Sequence, residues 1–277
     1  MDRSDVESAF AVLASGLRLR ILETLADVPQ QESLSFTELY DEVDATNTSQ
    51  FSYHLNELTD QYIQSEETGY AISDAGRRVV QSIKAGEYTL QPEFDPIAVE
   101  THCPYCRATS AKATYDGQLA TIECNSCDNS ILRYDLRPGH VANRSPLEAM
   151  EAADRKMRAE LHSALDGVCQ RCGGCMKLEF ITGEDVDPAT VLVVFECQQC
   201  RTTLSAPLEV VLLHHPEVVS SYWDDSINVT TTPTWELLSD ISEWNAELDE
   251  SNEVVVVFPG DKRLRFEFDL EDEIKVD

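Results

Sequence analysis

Nine cysteines fall between residues 103 and 200 of this 277-residue chain, and none lies outside that window. Eight of them form four C-x-x-C pairs. Cys103-Pro-Tyr-Cys106 is followed by Cys124-Asn-Ser-Cys127, and Cys169-Gln-Arg-Cys172 by Cys197-Gln-Gln-Cys200. A C-x-x-C turn aims two thiolates at one point, and two such turns joined by a hairpin make a tetrahedral four-sulfur site. Zn2+ suits that site because it imposes no d-electron geometry and has no redox chemistry. The eight cysteines are therefore candidate ligands of two structural zinc ions. Disulfides fit poorly with an odd cysteine count and a reducing compartment. Four-cysteine iron–sulfur ligation stays open, although this spacing is less typical of it. Spacing does not fix which pairs share an ion. Cys175 is surplus and reads as a small thiol outside both quartets.

The stretches between the pairs fit hairpin arms. Residues 111–115, Asp116-Gly117 and 119–123 read as strand, turn and strand, as do 176–181 and 191–196 around a polar loop with Gly183 and Pro188. Both sets resemble zinc ribbons. Between them, Ser145-Pro146-Leu147-Glu148 is a capping box with proline at the first helical position. Leu147, Met150, Met157, Leu161 and Leu165 follow at helical spacing, with Gly167 placed for a C-terminal cap. The reading is a packing helix joining two ribbons. There is no Gly-rich phosphate loop, no HExxH and no nucleophile elbow in the sequence. Both quartets look closed, whereas a catalytic zinc keeps one position open. The expectation is a protein that is not an enzyme.

The first ninety residues carry no cysteine and read as short amphipathic helices followed by a hairpin. Val6, Phe10 and Leu13 mark a helix over 4–14, and Leu17, Ile21 and Leu25 a second over 17–26. The capping box Ser35-Phe36-Thr37-Glu38 opens a short helix bearing Leu39 and Val43. After a polar turn at 45–48, a helix over 48–60 buries Phe51, Leu55 and Leu58 at i, i+4 and i+7. Its opposite face carries Ser49, Tyr53 and Asn56, flanked by Gln50 and Ser52, while His54 reads as packing at the helix edge. A hairpin over 62–73 turns at Thr68-Gly69, and Asp74 opens the closing helix.

That order describes a winged helix-turn-helix, and three segments resemble ArsR-type archaeal and bacterial regulators. Leu13-Ala14-Ser15-Gly16-Leu17-Arg18-Leu19-Arg20-Ile21-Leu22 is similar to their second-helix signature. Phe51-Ser52-Tyr53-His54-Leu55-Asn56-Glu57-Leu58 resembles their recognition helix, and Gly69-Tyr70-Ala71-Ile72-Ser73-Asp74-Ala75-Gly76-Arg77-Arg78 their wing and last helix. With its two ribbons, the arrangement resembles uncharacterised haloarchaeal regulators. The resemblance implies a homodimer on double-stranded DNA, with the recognition helix in the major groove and the wing along the backbone. It assigns Ser49, Gln50, Ser52, Tyr53 and Asn56 to the recognition surface and Thr68, Tyr70 and Arg77 to backbone contact. Asn and Gln can bond adenine through two hydrogen bonds. The chain departs from the family in having no metal-sensing cysteines in its helices and no Lys or Arg in the recognition helix.

Charge bears on the partner. Lys plus Arg number 21 and Asp plus Glu 51, a net charge of −30, yet 42% of residues are apolar and 8% aromatic. An acidic disordered chain is excluded by that apolar content. Bulk attraction to nucleic acid or to a membrane surface is disfavoured. Only six of the basic residues are lysine. This skew looks like the cytoplasm of a salt-loving microbe, where molar salt screens self-repulsion within ~3 Å. Residues 1–96 carry −12, residues 97–215 carry −5 and residues 216–277 carry −13. The middle block is the least negative. Arg133, Arg137, Arg144, Arg155 and Arg158 there are candidates for an auxiliary phosphate contact or, by preference, a solvated face. The opening MDRSDVESAF lacks the marks of a secretory signal, and the longest apolar runs are strand-length, so a cytoplasmic protein without a membrane partner is expected.

Towards the C-terminus, His214-His215-Pro216 precedes a helix or helix pair with Val218, Val219, Tyr222 and Trp223. The histidine pair reads as structural. Trp235, Leu238, Ile241 and Trp244 fit one helical face, and Pro259-Gly260-Asp261-Lys262 turns a hairpin over 253–258 and 263–268 ahead of an acidic tail. The tryptophans suit a small core or a small ligand pocket.

The sequence thus predicts an α+β multi-domain chain. Residues 1–90 form the winged helix, 97–137 the first ribbon, 145–166 the linking helix, 167–215 the second ribbon and 216–277 a C-terminal helix and hairpin region. Two functions compete, a sequence-specific transcriptional regulator and an adaptor whose winged helix and ribbons bind proteins of the transcription machinery. An enzyme or metal-redox protein is a third and weaker reading.

Overall fold

The computed structural model describes residues 3–29, 32–181, 191–224, 226–248, 253–257 and 263–267. The loop with Gly183 and Pro188, the turn at 259–262 and the acidic tail lie outside the described residues. The chain is α+β and divides into two compact units, Met1–Leu90 and Gln91–Asp277.

The first unit runs α1 (Arg3–Leu13), α2 (Gly16–Asp27), α3 (Phe36–Glu42), α4 (Thr48–Leu58), β1 (Ile63–Glu66), β2 (Gly69–Ile72) and α5 (Asp74–Lys84). The helix starts are written in short polar side chains. Ser35 and Glu38 close a reciprocal capping box on α3, Asn47 accepts from the Gln50 N–H at the head of α4, and Ser73 accepts from the Gly76 N–H at the head of α5. The apolar stripes of α2 and α4 meet in one core. Ile21, Leu22 and Leu25 pack with Leu39, Phe51, Leu55, Leu58, Ile63 and Val80. Phe51 is the aromatic centre, with the rings of Phe36 and Tyr40 edge-on at 5.2 Å each.

Strands β1 and β2 pair antiparallel from Ile63↔Ile72 to Glu66↔Gly69, and Tyr70 adds a bridge to Leu34. Gly69 is required there, because a Cβ would sit 2.2 Å from the Leu34 carbonyl oxygen. Helix α1 differs from the rest in burying none of its residues, and Phe10 stands 71% exposed.

The second unit begins with a four-stranded antiparallel sheet in the order β3-β4-β5-β6: β3 (Phe94–Glu100), β4 (Ser110–Tyr115), β5 (Leu119–Cys124) and β6 (Ser130–Asp135). Burial alternates strictly along β4 and β5, as expected of a sheet with one face on a core. The one-turn α6 (Pro138–Val141) leads to α7 (Pro146–Leu165), whose start is the capping box of Ser145 and Glu148. A three-stranded sheet in the order β7-β8-β9 follows: β7 (Met176–Ile181), β8 (Leu192–Cys197) and β9 (Thr203–Pro207). Helices α8 (Leu208–Leu212), α9 (Pro216–Asp224) and α10 (Thr234–Ile241) come next. The antiparallel strands β10 (Asn245–Leu248), β11 (Glu253–Val257) and β12 (Arg263–Glu267) close the unit.

One core serves the two cysteine-bearing sheets, α7 and helices α8–α10. Ala113 and Ile122 from the first sheet, Met150 and Leu161 from α7, Phe195 from the second sheet, and Leu208, Trp235 and Ile241 from the later helices all belong to it. Trp235 and Trp244 are both buried in this core, although α10 ends at Ile241, before Trp244.

The stripe of α7 carries a buried ion pair. Arg158 Nε lies 2.8 Å from Asp154 Oδ2, and the same guanidinium donates to the carbonyls of Val229 and Thr232. Asp154 Oδ1 accepts from the Tyr134 hydroxyl and the Thr234 N–H, both at 3.1 Å. Arg158 is therefore neither solvated nor available to a phosphate, correcting both readings of that residue. Its charge is consumed by a carboxylate and two carbonyls that would otherwise be stranded in the core. Among the described residues no helix is long and apolar enough to cross a membrane.

Candidate metal centres and nucleic-acid interface

Each quartet assembles within its own sheet. Knuckle Cys103–Cys106 lies between β3 and β4, and Cys124–Cys127 runs from the last residue of β5 towards β6, so the β4–β5 hairpin folds the two together. Cys169–Cys172 precedes β7 and Cys197–Cys200 joins β8 to β9. Within each quartet the four Sγ atoms lie within 4.8 Å of one another. Cys103–Cys127 and Cys169–Cys200 are 3.7 Å apart, and Cys106–Cys124 and Cys172–Cys197 3.5 Å apart. Sulfurs 2.3 Å from a tetrahedral centre would be about 3.8 Å apart. The sulfurs fit that donor set, and the sequence's open question of knuckle pairing is answered.

The four knuckles share one backbone design. In each, the first cysteine N–H donates to the carbonyl five residues on, and its own carbonyl accepts from the N–H four residues on. The pairs are Cys103 with Ala108 and Arg107, Cys124 with Asn129 and Asp128, Cys169 with Gly174 and Gly173, and Cys197 with Thr202 and Arg201. The residue after the second cysteine is left-handed every time: Arg107 at φ 61°, Asp128 at 56°, Gly173 at 72° and Arg201 at 61°. Only one of these is glycine, so three knuckles hold an L residue where glycine is favoured.

The turn aims amide N–H groups at the sulfurs. Ser126 N–H lies 3.3 Å from Cys124 Sγ, and the N–H groups of Gln199 and Cys200 lie 3.4 Å from Cys197 Sγ. Such donors favour thiolate. The Ser126 N–H foremost holds Cys124 down at about 6, and the Thr202 hydroxyl does the same for Cys200, also about 6. Cys106 receives help from the Ala108 N–H, but desolvation and the neighbouring sulfurs outweigh it and push it up to about 12. Cys172 likewise gains from the Gly174 N–H, yet the Cys200 sulfur and desolvation push it up to about 12. Thiolates this close would repel one another, and a cation bound among them would offset that repulsion.

Cys175 stands outside both sets. Its carbonyl accepts from the Gln198 N–H, as the Ser110 carbonyl accepts from Asn125 in the first sheet, so it occupies the position of Ser110. His214 and His215 belong to neither quartet, and among the described residues these two quartets are the groupings able to hold a metal.

In the first unit, α4 turns Phe51, Leu55 and Leu58 inward and leaves Ser49, Gln50, Tyr53 and Asn56 exposed. Ser52 is half-buried. Thr68 is exposed at the hairpin tip and bonded to Ser33 at 2.7 Å, while Tyr70 and Arg77 are half-buried. Beneath α4 lies a residue that sequence reasoning passed over. Arg18 of α2 is buried, and its guanidinium reaches His54 Nδ1 at 3.0 Å and Glu57 Oε2 at 3.1 Å. A signal existed, since Arg18 precedes Ile21 by three and Leu25 by seven and so falls on the buried stripe of its helix.

Residues 6–83 match the family described as Domain of unknown function (DUF7347), and residues 100–274 match Domain of unknown function (DUF7351). No curated protein matches the chain. The second match spans both quartets, α7 and the C-terminal helices, the elements that share a single core. With 175 of its 277 residues inside that match, the chain belongs to the DUF7351 family.

Proposed function

We propose that this chain is a sequence-specific DNA-binding transcriptional regulator of ArsR-like winged-helix type, with two structural zinc ions held by its cysteine quartets. The observation that carries the reading is α4. An amphipathic helix, capped by Asn47, keeps its apolar face in the core and offers Ser49, Gln50, Tyr53 and Asn56 beside a two-stranded wing. Side chains of that chemistry can read base edges by hydrogen bonds and stacking. Cys103, Cys106, Cys124 and Cys127 hold one zinc, and Cys169, Cys172, Cys197 and Cys200 the other. A closed four-sulfur set supplies a cross-link between strands and no open coordination position. The chain is non-enzymatic and works in the cytoplasm of a salt-loving archaeon, without a membrane partner. Two copies pair, and the exposed Val6 and Phe10 of α1, one turn apart, supply the apolar surface for it.

A second reading is supported by charge. The helix α4 has no cation, and residues 1–96 carry −12. Those facts suit an adaptor whose winged helix binds a protein of the transcription machinery. DNA occupancy across the host genome, followed by binding at molar KCl to the sites found, separates the two. Loss of binding in Asn56→Ala and Tyr53→Ala supports the regulator. Unchanged binding in both would remove α4 as the reading element, and absence of any occupied site would favour the adaptor. Metal analysis giving about two zinc per chain supports the closed sites, and iron would contradict them.

A further inference from the structure

We propose that Arg18 is the positioning residue of the DNA-reading helix, setting its side chains and cancelling its charge without touching DNA; this rests on the regulator reading above. Arg18 is 7% exposed, and its guanidinium spends its donors on two neighbouring helices. One terminal nitrogen donates to the Val12 carbonyl of α1 at 2.8 Å. Nε donates to His54 Nδ1 at 3.0 Å, and the other terminal nitrogen to Glu57 Oε2 at 3.1 Å. Its carbon also lies 5.7 Å from the centroid of the Tyr53 ring, which in turn stands edge-on to His54 at 5.2 Å.

Three consequences follow from that geometry. First, Tyr53 is 56% exposed yet held on one side by a buried cation, so its ring is presented in one orientation to whatever α4 meets. An ordered side chain costs less entropy on binding than a free one. Second, Glu57 is the one carboxylate of α4, one residue after Asn56. Left unpaired it would repel a phosphate backbone; paired with Arg18 it leaves the helix electrically neutral. Third, an arginine at Nδ1 requires His54 to be neutral and to carry its proton on Nε2. A lysine has no planar fork and cannot serve His54, Glu57 and the Val12 carbonyl at once.

The test compares wild type with Arg18→Lys and Glu57→Gln, using the full chain and a DNA site taken from its genomic occupancy. The readouts are the ratio of affinities for that site and for scrambled DNA, and the His54 tautomer by 15N NMR. Wild type should show the Nε2–H tautomer. Arg18→Lys should lose about tenfold of the affinity ratio, the scale of one misplaced base contact, and should mix the His54 tautomers. Glu57→Gln should keep the ratio within about twofold, because it removes the charge that Arg18 neutralises while the Arg18–His54 bond stays. A folded Arg18→Lys with an unchanged ratio, or a wild-type Nδ1–H tautomer, overturns the inference and leaves the regulator reading standing. If Arg18→Lys does not fold, the tautomer of wild type and the ratio in Glu57→Gln decide, and a tenfold loss in Glu57→Gln counts against positioning by Arg18. Wild type that binds no DNA overturns both.

Discussion

The two units solve the problem of holding a surface in place by different means. In residues 1–90 a core of aliphatic side chains around Phe51 fixes α4, and Arg18 is the buried charge beneath it. In residues 91–277 the cysteine quartets sit on two of the unit's three sheets, each of three or four short strands, which by themselves would bury too little to fix their knuckles. There, eight cysteines converge in two quartets, the Asp154–Arg158 pair is buried, and one shared core binds the two cysteine-bearing sheets to α7. A packed helical unit can leave its polar face to function. A ribbon must spend its polar and sulfur groups on holding itself together.

Metal removal should break the comparison most sharply. Chelation, or Cys124→Ser, withdraws a stabilisation on the order of 10 kcal/mol. Hydrogen exchange should then rise across 91–277 while the α2 and α4 amides of the first unit stay protected. Equal loss in both units would mean that they fold as one body. Next in size are the two buried centres. Phe51→Ala should cost about 3–5 kcal/mol in the first unit alone. Asp154→Ala leaves a buried guanidinium unpaired and should cost about 3–5 kcal/mol in the second. Each is checked by denaturant unfolding with probes in the separate units, such as the tryptophans of the second.

Acid should discriminate the units more gently. Burial, reinforced by the nearby Arg158 charge, holds His214 down at about 4 from an ordinary 6.5. The folded form therefore disfavours the proton that the unfolded chain accepts. Stability from His214 is complete above pH 6.5 and is lost as pH falls from 6.5 towards 4. The loss should be about 2 kcal/mol for this half-buried ring. His214→Gln should flatten that slope in the second unit and leave the first unchanged. The smallest effect is at a cap. Asn47→Ala removes the bond to the Gln50 N–H and should lower first-unit stability by about 1 kcal/mol, with fraying of α4 visible in its exchange rates.

What the sequence made legible follows from the range of the interactions involved. Helix starts are local, and the capping boxes at Ser35 and Ser145 appear as read. The apolar stripe Phe51, Leu55, Leu58 and the four C-x-x-C turns are equally local signals. The strands β3, β6 and β9 were not legible. Pro96 interrupts the pattern of β3, tolerated because that strand lies at the sheet edge, and register shifts break the alternation at both ends of the first sheet. That two ribbons and the C-terminal helices share one core is a long-range fact with no local signature. Arg18, Asp154 and Arg158 were hidden for another reason. Charged side chains are assigned to the outside by rule, and only their places on buried stripes betrayed them. The candidate DNA-facing residues were placed by helical periodicity, which gives a face but not the hub of Arg18 that holds it.

The central claim is that a neutral helix on an acidic protein reads DNA by hydrogen bonds and fit. The most direct test is the affinity of the full chain for its genomic site as KCl rises through the molar range, with Asn56→Ala alongside. The account predicts a shallow dependence of affinity on salt for wild type, because few phosphates are neutralised by cations of the protein, and a loss of affinity in Asn56→Ala at every salt concentration. A steep fall of wild-type affinity with increasing KCl, or an Asn56→Ala curve that overlies it, would contradict the claim.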